Sequence, residues 1–300
     1  MSALEDLRDW IGREETQHDV ITAAPVTALA ATLDHEPHPV PEGSALPPLW
    51  HWLYFTPRPR ASTVGTDGHA LRGGFLPPVP LPRRMWAGGR LEFHEPLCVG
   101  DAVTRTSRIA SVDIKHGRSG ALVFVTVQHE LRTARGLAIS EAHDIVYRDA
   151  PAPGAPAPVP TAAPDNATCS REVVPDPVLL FRYSALTFNG HRIHYDRPYA
   201  MQDEGYPGLV VHGPLIATLL LDLLHRDLRI AASAHAAPVS VKRFSFKALR
   251  PLFDIHRFDV CGKIDLERAA DRDDATPRTV QLWARDHEGW LAMQATADIA

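Results

Sequence analysis

Apolar residues recur along this chain in two rhythms. One is alternation, as in LVFVTVQHEL from Leu122 to Leu131 and TVQLWARD from Thr279 to Asp286. A period of two marks a strand with one buried face. Strands are predicted at 90–97, 101–116, 121–134 and 137–148, and again at 239–250, 255–267, 278–286 and 289–299. Gly100-Asp101, Gly117-Arg118-Ser119-Gly120, Arg135-Gly136 and His287-Glu288-Gly289 supply turns between them. The other rhythm is an unbroken apolar run, LVVHGPLIATLLLDLL, which predicts a helix over 211–228. A helix that is apolar nearly all round must be buried on every side, so a sheet has to wrap around it. In the first half the corresponding helix is expected in PPLWHWLYF, from Pro47 to Phe55. The opening stretch MSALEDLRDWIGREE reads as a short amphipathic helix with Leu4, Leu7 and Ile11 on one side. It has neither the basic start nor the apolar core expected of a signal peptide.

The elements come in the same order twice. RLEFHEPL begins at Arg90 and RFSFKALRPLF at Arg243, an offset of 153 residues. LAISEAHDI begins at Leu137 and LAMQATADI at Leu291, an offset of 154. ALAATLD ends at Asp34 and YSALTFN at Asn189, an offset of 155. Three matches at nearly constant spacing imply a duplicated domain. Between the copies lies DAPAPGAPAPVPTAAPD, whose prolines bar helix and inner strand. The expected organisation is a first domain over 1–150, a linker over 151–165 and a second domain over 166–300. The fold class is α+β, with two tandem antiparallel sheets each wrapped around a central helix.

Composition narrows the function. Of 300 residues, 45% are apolar and 22% charged, which reads as soluble and globular. A net charge of −5 gives no general attraction to nucleic acid or to an anionic membrane surface. Leu215 to Leu224, interrupted by Asp222, is too short to span a bilayer. Cys98, Cys169 and Cys261 fit no disulfide frame and no zinc spacing, which suits a reducing cytoplasm. No Gly-rich phosphate loop is present, so no cofactor is expected.

The candidate chemistry lies just before the apolar helix. The loop TFNGHRIHYDRPYA, from Thr187 to Ala200, carries two histidines three residues apart, and His212-Gly213 opens the helix. His191, His194, Asp196 and His212 are a conceivable zinc set, but zinc ligands usually have tighter, helix-based spacing. His35, Glu36 and His38 in DHEPHP read better as a proline-bent surface loop than as metal ligands.

These residues resemble the MaoC-like enoyl-thioester hydratases, which carry D-x-N-P-x-H before the central helix and His-Gly at its start. Here NGHRIHYDRPYA places Asn189 at the aspartate and His194 at the histidine, and VVHGP supplies His212-Gly213. His191-Arg192 replace Asn-Pro. PLPRRMWAGGRLEFHEPL and GRSGALVFVTV resemble the first domain of two-domain hydratases acting on mesaconyl-C4-CoA or itaconyl-CoA. The resemblance covers nearly the whole chain. It implies a double hot-dog fold and the addition of water to an α,β-enoyl thioester.

That chemistry needs a base for water, a proton for Cα and a donor for the thioester oxygen. His194 suits the first two, because imidazole titrates near neutrality. Gly213 suits the third, because N–H groups in the first turn of a helix lack intrahelical acceptors. Asn189 is a turn former beside Gly190 and a candidate to orient the water; a neutral amide cannot be the base. The first half has Pro39 where the second has His194, which predicts one active site per chain, with the first half forming walls. A dicarboxylic substrate needs a cation, and Arg83, Arg84 and Arg192 are the candidates. The product is then citramalyl-CoA. A fatty-acid-type 3-hydroxyacyl-thioester dehydratase, a non-catalytic acyl-CoA-binding protein and a thioesterase remain as rivals. The only partner expected is the acyl-CoA, and the oligomeric state stays open between monomer and homodimer.

Overall fold

The computed structural model describes residues 5–117, 120–150, 159–231, 240–263 and 278–300. Most of the proposed linker, Leu4 and the end of the strand expected at 255–267 lie outside them. The described strands are β1 (Glu14–Val20), β2 (Arg83–Phe93), β3 (Ala102–Gly117), β4 (Gly120–Thr133), β5 (Gly136–Arg148), β6 (Cys169–Val173), β7 (Val241–Ala248), β8 (Phe258–Lys263), β9 (Arg278–Asp286) and β10 (Leu291–Ile299). They form one sheet in the order β1-β3-β4-β5-β2-β7-β10-β9-β8-β6. Outward from the β2/β7 seam, both halves repeat one sequence of strands, so β1 matches β6 and β3 matches β8. The duplication inferred from spacing is therefore a structural one, but the two expected sheets are joined edge to edge.

The seam explains a pair of glycines. Gly88 pairs with Lys247 and Gly89 with Phe246. A Cβ on Gly88 would lie 2.6 Å from the Phe246 carbonyl oxygen, and one on Gly89 would lie 2.8 Å from the Phe246 ring. Only residues without a side chain allow this approach.

Two short helices, α1 (Ala23–Thr32) and α2 (Pro177–Leu186), are copies of each other and pack together. Asp176 caps α2, its carboxylate accepting from Leu179 N at 2.8 Å, with Pro177 at the first helical position. The helix ends correct one alignment. Asp34 and Phe188 both have positive φ after their helices, and His35 N and Asn189 N both close back, onto Ala30 O and Ser184 O. The first-half counterpart of Asn189 is thus His35, not Asp34. His35 Nε2 meets Asp222 Oδ1 at 2.7 Å.

The apolar run forms α3 (Gly213–Ala231), and Leu215, Ala217 and Leu220 are fully buried. Burying each leucine stabilises the fold by about 1.5–3 kcal/mol. Asp222, buried on this helix, pairs with His35, Arg171 and Arg226. No helix among the described residues is long and apolar enough to cross a membrane.

The first half departs from expectation at its own central helix. PPLWHWLYF forms only a 3-10 turn, Trp50–Leu53, entered through Leu49 at φ 71°. Two prolines precede the turn and TPRPR follows it, so neither end can be extended into a longer helix. Trp50, Leu53, Tyr54 and Phe55 still join the core shared with α3. The N-terminal segment is likewise a 3-10 turn, Glu5–Trp10, with Leu7 buried and Ile11 exposed. The chain then reaches β2 through a long irregular connection, and part of that connection touches the second half.

Candidate active site

The loop between α2 and α3 folds on itself before it meets α3. Asn189 Oδ1 accepts from His191 N at 3.0 Å, an Asx turn that starts the loop. A 3-10 turn, Arg192–His194, carries His194 inward to 8% exposure. His194 Nδ1 donates to the Val210 carbonyl at 2.7 Å. That contact fixes the proton on Nδ1 and leaves Nε2 as the basic nitrogen, with no partner among the described residues. Burial pushes the His194 pKa down to about 4, against the opposing pull of the Val210 carbonyl. At neutral pH the ring is uncharged and can accept a proton.

His212 stacks on His194, with ring centroids 3.7 Å apart and planes at 17°. Its Nε2 lies 2.8 Å from the Ser184 hydroxyl on α2. Its Nδ1 is buried without a partner among the described residues. Burial holds His212 well below its ordinary pKa, and the neighbouring histidines add to this. Gly213 follows at the first position of α3. A Cβ there would lie 3.8 Å from the Trp86 carbonyl, an ordinary contact, and the Gly213 N–H belongs to the first turn, where such groups lack intrahelical acceptors. The structure thus brings together a neutral base, a buried unpartnered imidazole nitrogen and the positive end of the most buried helix.

The three arginines part company. Arg192 is held on both sides: Nε and Nη2 donate to Asp196 Oδ2 in its own loop at 2.9 and 2.7 Å, and Nη1 donates to Thr66 O of the first half at 3.0 Å. Arg83 donates to the Glu204 carbonyl at 2.6 Å and lies over the Tyr206 ring. Arg84 has no ion pair among the described residues. Burial chiefly lowers the pKa of His69 and His191, and the charge of Arg84 adds to it.

Sequence reasoning missed Asp67 and His69. They stand at the tip of the first-half connection, in a turn closed by Gly65 N to His69 O at 2.7 Å. The His69 ring lies 4.1 Å from His191, which in turn is 5.4 Å from His194. Asp67, His69 and His191 each place a donor atom within 4.8 Å of the others. The one available signal was TDGH itself, an Asp-Gly turn pair with a histidine beside it. A second buried cluster was also unforeseen. Glu141 accepts from Trp52 Nε1 at 2.8 Å and meets His51 at 3.0 Å and His143 at 2.5 Å. Burial alone would raise its carboxyl, but the two histidines outweigh burial and hold it well below the usual range.

A double hot-dog sheet with a histidine-bearing loop at the mouth of its buried helix is the architecture of the hot-dog class. The chain belongs to the hydroxyacyl-thioester dehydratase type 2 family, whose model matches residues 49–254. Over 297 residues, 98% of each chain, it is 46% identical to the mesaconyl-C(4)-CoA hydratase of Chloroflexus aurantiacus. Among solved structures, a MaoC-like dehydratase matches with a TM-score of 0.70 over 99% of both chains, at 15% identity. A Mycobacterium tuberculosis protein described as a double hot-dog fold matches with a TM-score of 0.59 over 99% of this chain and 98% of that one, at 13% identity.

Proposed function

We propose that this hydratase adds water to mesaconyl-C4-CoA, giving citramalyl-CoA, with His194 as the acid/base. In that thioester the free carboxylate and the methyl group sit on Cβ, the carbon that water attacks. A cation must therefore stand close to the base. Arg84 is the candidate for that cation, a guanidinium on β2 without an ion pair among the described residues whose charge reaches His69 and His191. The 46% identity to a mesaconyl-C(4)-CoA hydratase supports this substrate.

The thioester oxygen lies toward Gly213 N–H, where charge develops as the enolate forms. A preorganised donor of this kind contributes on the order of 3 kcal/mol to lowering the barrier. His194 Nε2 takes a proton from water as oxygen bonds Cβ. The resulting imidazolium returns that proton to Cα. Asn189 shapes the loop and is left with its amide nitrogen to hold the water.

The family description favours a second activity, dehydration of a 3-hydroxyacyl thioester by the same residues in reverse. The test is loss of enoyl-thioester absorbance with mesaconyl-C4-CoA, itaconyl-CoA and crotonyl-CoA, for wild type and Arg84→Gln. Wild type is expected to prefer mesaconyl-C4-CoA, and Arg84→Gln to lose that preference, by about 10-fold or more for a lost charge-assisted contact of about 1.5–3 kcal/mol. Equal losses on mesaconyl- and crotonyl-CoA would remove Arg84 as the carboxylate reader. A wild-type preference for crotonyl-CoA would favour the straight-chain dehydratase.

A further inference from the structure

One turn of the first half is tied to the loop that carries His194, through both the backbone and the side chain of Arg192. Arg192 N donates to Asp67 O at 2.9 Å, and Arg192 Nη1 to Thr66 O at 3.0 Å. Gly68 has φ +89°, and a Cβ there would sit 1.8 Å from Gly190 O, so no other residue fits. What this contact delivers is an oriented imidazole. Asp67 Oδ1 accepts from His69 N at 2.9 Å, and Oδ2 accepts from His69 Nδ1 at 3.1 Å. Both carboxylate oxygens thus serve one residue. The bond at Nδ1 places the ring proton there and leaves Nε2 as a lone pair, with no partner among the described residues. Burial pushes Asp67 up, but the His69 contacts outweigh it and keep the carboxyl ionised. Burial lowers the pKa of His69, partly offset by Asp67, so the imidazole is neutral. The ring stands one histidine away from His194, across His191.

We propose that His69, oriented by Asp67, is a second catalytic group, whose Nε2 accepts a hydrogen bond from the attacking water in place of the carboxylate that Asn189 lacks. The proposal rests on the hydratase function above. The active site is then a composite of both halves. One water hydrogen passes to His194 Nε2 as the water oxygen bonds Cβ. The other hydrogen is held by His69 Nε2 and stays on the product hydroxyl. The C=C pair moves toward Cα and the thioester oxygen, and the proton on His194 then closes on Cα. Substrate and water supply every atom. Asp67, His69 and His191 place donor atoms within 4.8 Å of one another, so the test includes a chelator.

The test uses the full chain with mesaconyl-C4-CoA. His69→Gln is expected to lower kcat by about 10²-fold or more while KM changes little, as for a lost acid/base or water-holding group. Asp67→Asn is expected to lose less, and Asp67→Asn with His69→Gln to be no worse than His69→Gln alone, because Asp67 acts through His69. His69→Gly should recover activity with added free imidazole, which a structural role would not produce. If His69→Gln fails to fold, imidazole rescue and the Asp67→Asn rate decide. A His69→Gln kcat within threefold of wild type, or no rescue, overturns the proposal. So does wild-type activity that is lost on dialysis against a chelator and restored by zinc. If wild type itself does not hydrate the thioester, the functional assignment fails instead, which is a distinguishable result.

Discussion

Burial of His194 has a consequence for pH that sets it apart from an ordinary histidine. The perturbation is acidification from pH 8 to pH 4. With a pKa of about 4, the ring keeps its lone pair far below the usual range. At pH 5 such a base is still about 90% neutral, whereas an imidazole at the reference value of about 6.5 is about 3% neutral. Hydration at pH 5 should therefore be roughly thirty times greater than an unperturbed histidine would allow. The assay is the initial rate of enoyl-thioester absorbance loss at low substrate, started from a neutral stock, with circular dichroism at each pH. The second readout is needed because the same burial links protonation to unfolding. His194 has a folded pKa below its unfolded one, so its contribution is full above about pH 6.5 and is lost as pH falls toward 4. Over that window it amounts to on the order of 3 kcal/mol. His69, His191 and His212 are shifted in the same direction. Rates should hold to about pH 5 in protein that is still folded. An acid limb centred near pH 6.5 in folded protein would mean that His194 is solvated or is not the base.

Two further outcomes follow from the geometry. Asn189→Ala should cost less rate than loss of His194, because it removes the acceptor for His191 N and leaves the base, while Asn189→Asp should keep substantial activity; steady-state rates of the three variants compare them directly. Glu141→Ala strands His51, His143 and the Trp52 N–H and should lower stability by about 3–5 kcal/mol, read by urea unfolding at pH 7. With its folded pKa depressed, the Glu141 contribution is present above the unfolded value near 4.3 and is lost as pH falls through the folded value, so the wild-type/variant gap should close in acid.

Much of this fold could be read in advance because strands and a buried helix leave periodic marks. The alternation in Leu122–Leu131 and Thr279–Asp286 and the offset copies around Arg90 and Arg243 are local or repeating signals. The central helix of the first half was overread because apolar content in PPLWHWLYF does not distinguish a helix from a 3-10 turn packed on a core. The match of Asp34 to Asn189 slipped by one because backbone conformation at the helix ends, rather than residue type, sets the equivalence. His194, His212 and Gly213 were visible because they sit within one stretch of chain. Asp67 and His69 were not, since only the folded chain brings that turn to Gly190 and Arg192. The arginines could not be ranked for the same reason: Glu204 and Asp196, which occupy Arg83 and Arg192, are partners the spacing does not reveal.

The most direct test of His194 as the acid/base is one rate measured on two proteins. Wild type and His194→Ala, both shown to be folded, are given mesaconyl-C4-CoA at saturation, and the loss of enoyl absorbance is followed. The expected result is turnover by wild type and a fall of about 10²–10⁴-fold in His194→Ala. Near-normal turnover by the folded variant would contradict it and place the proton chemistry elsewhere.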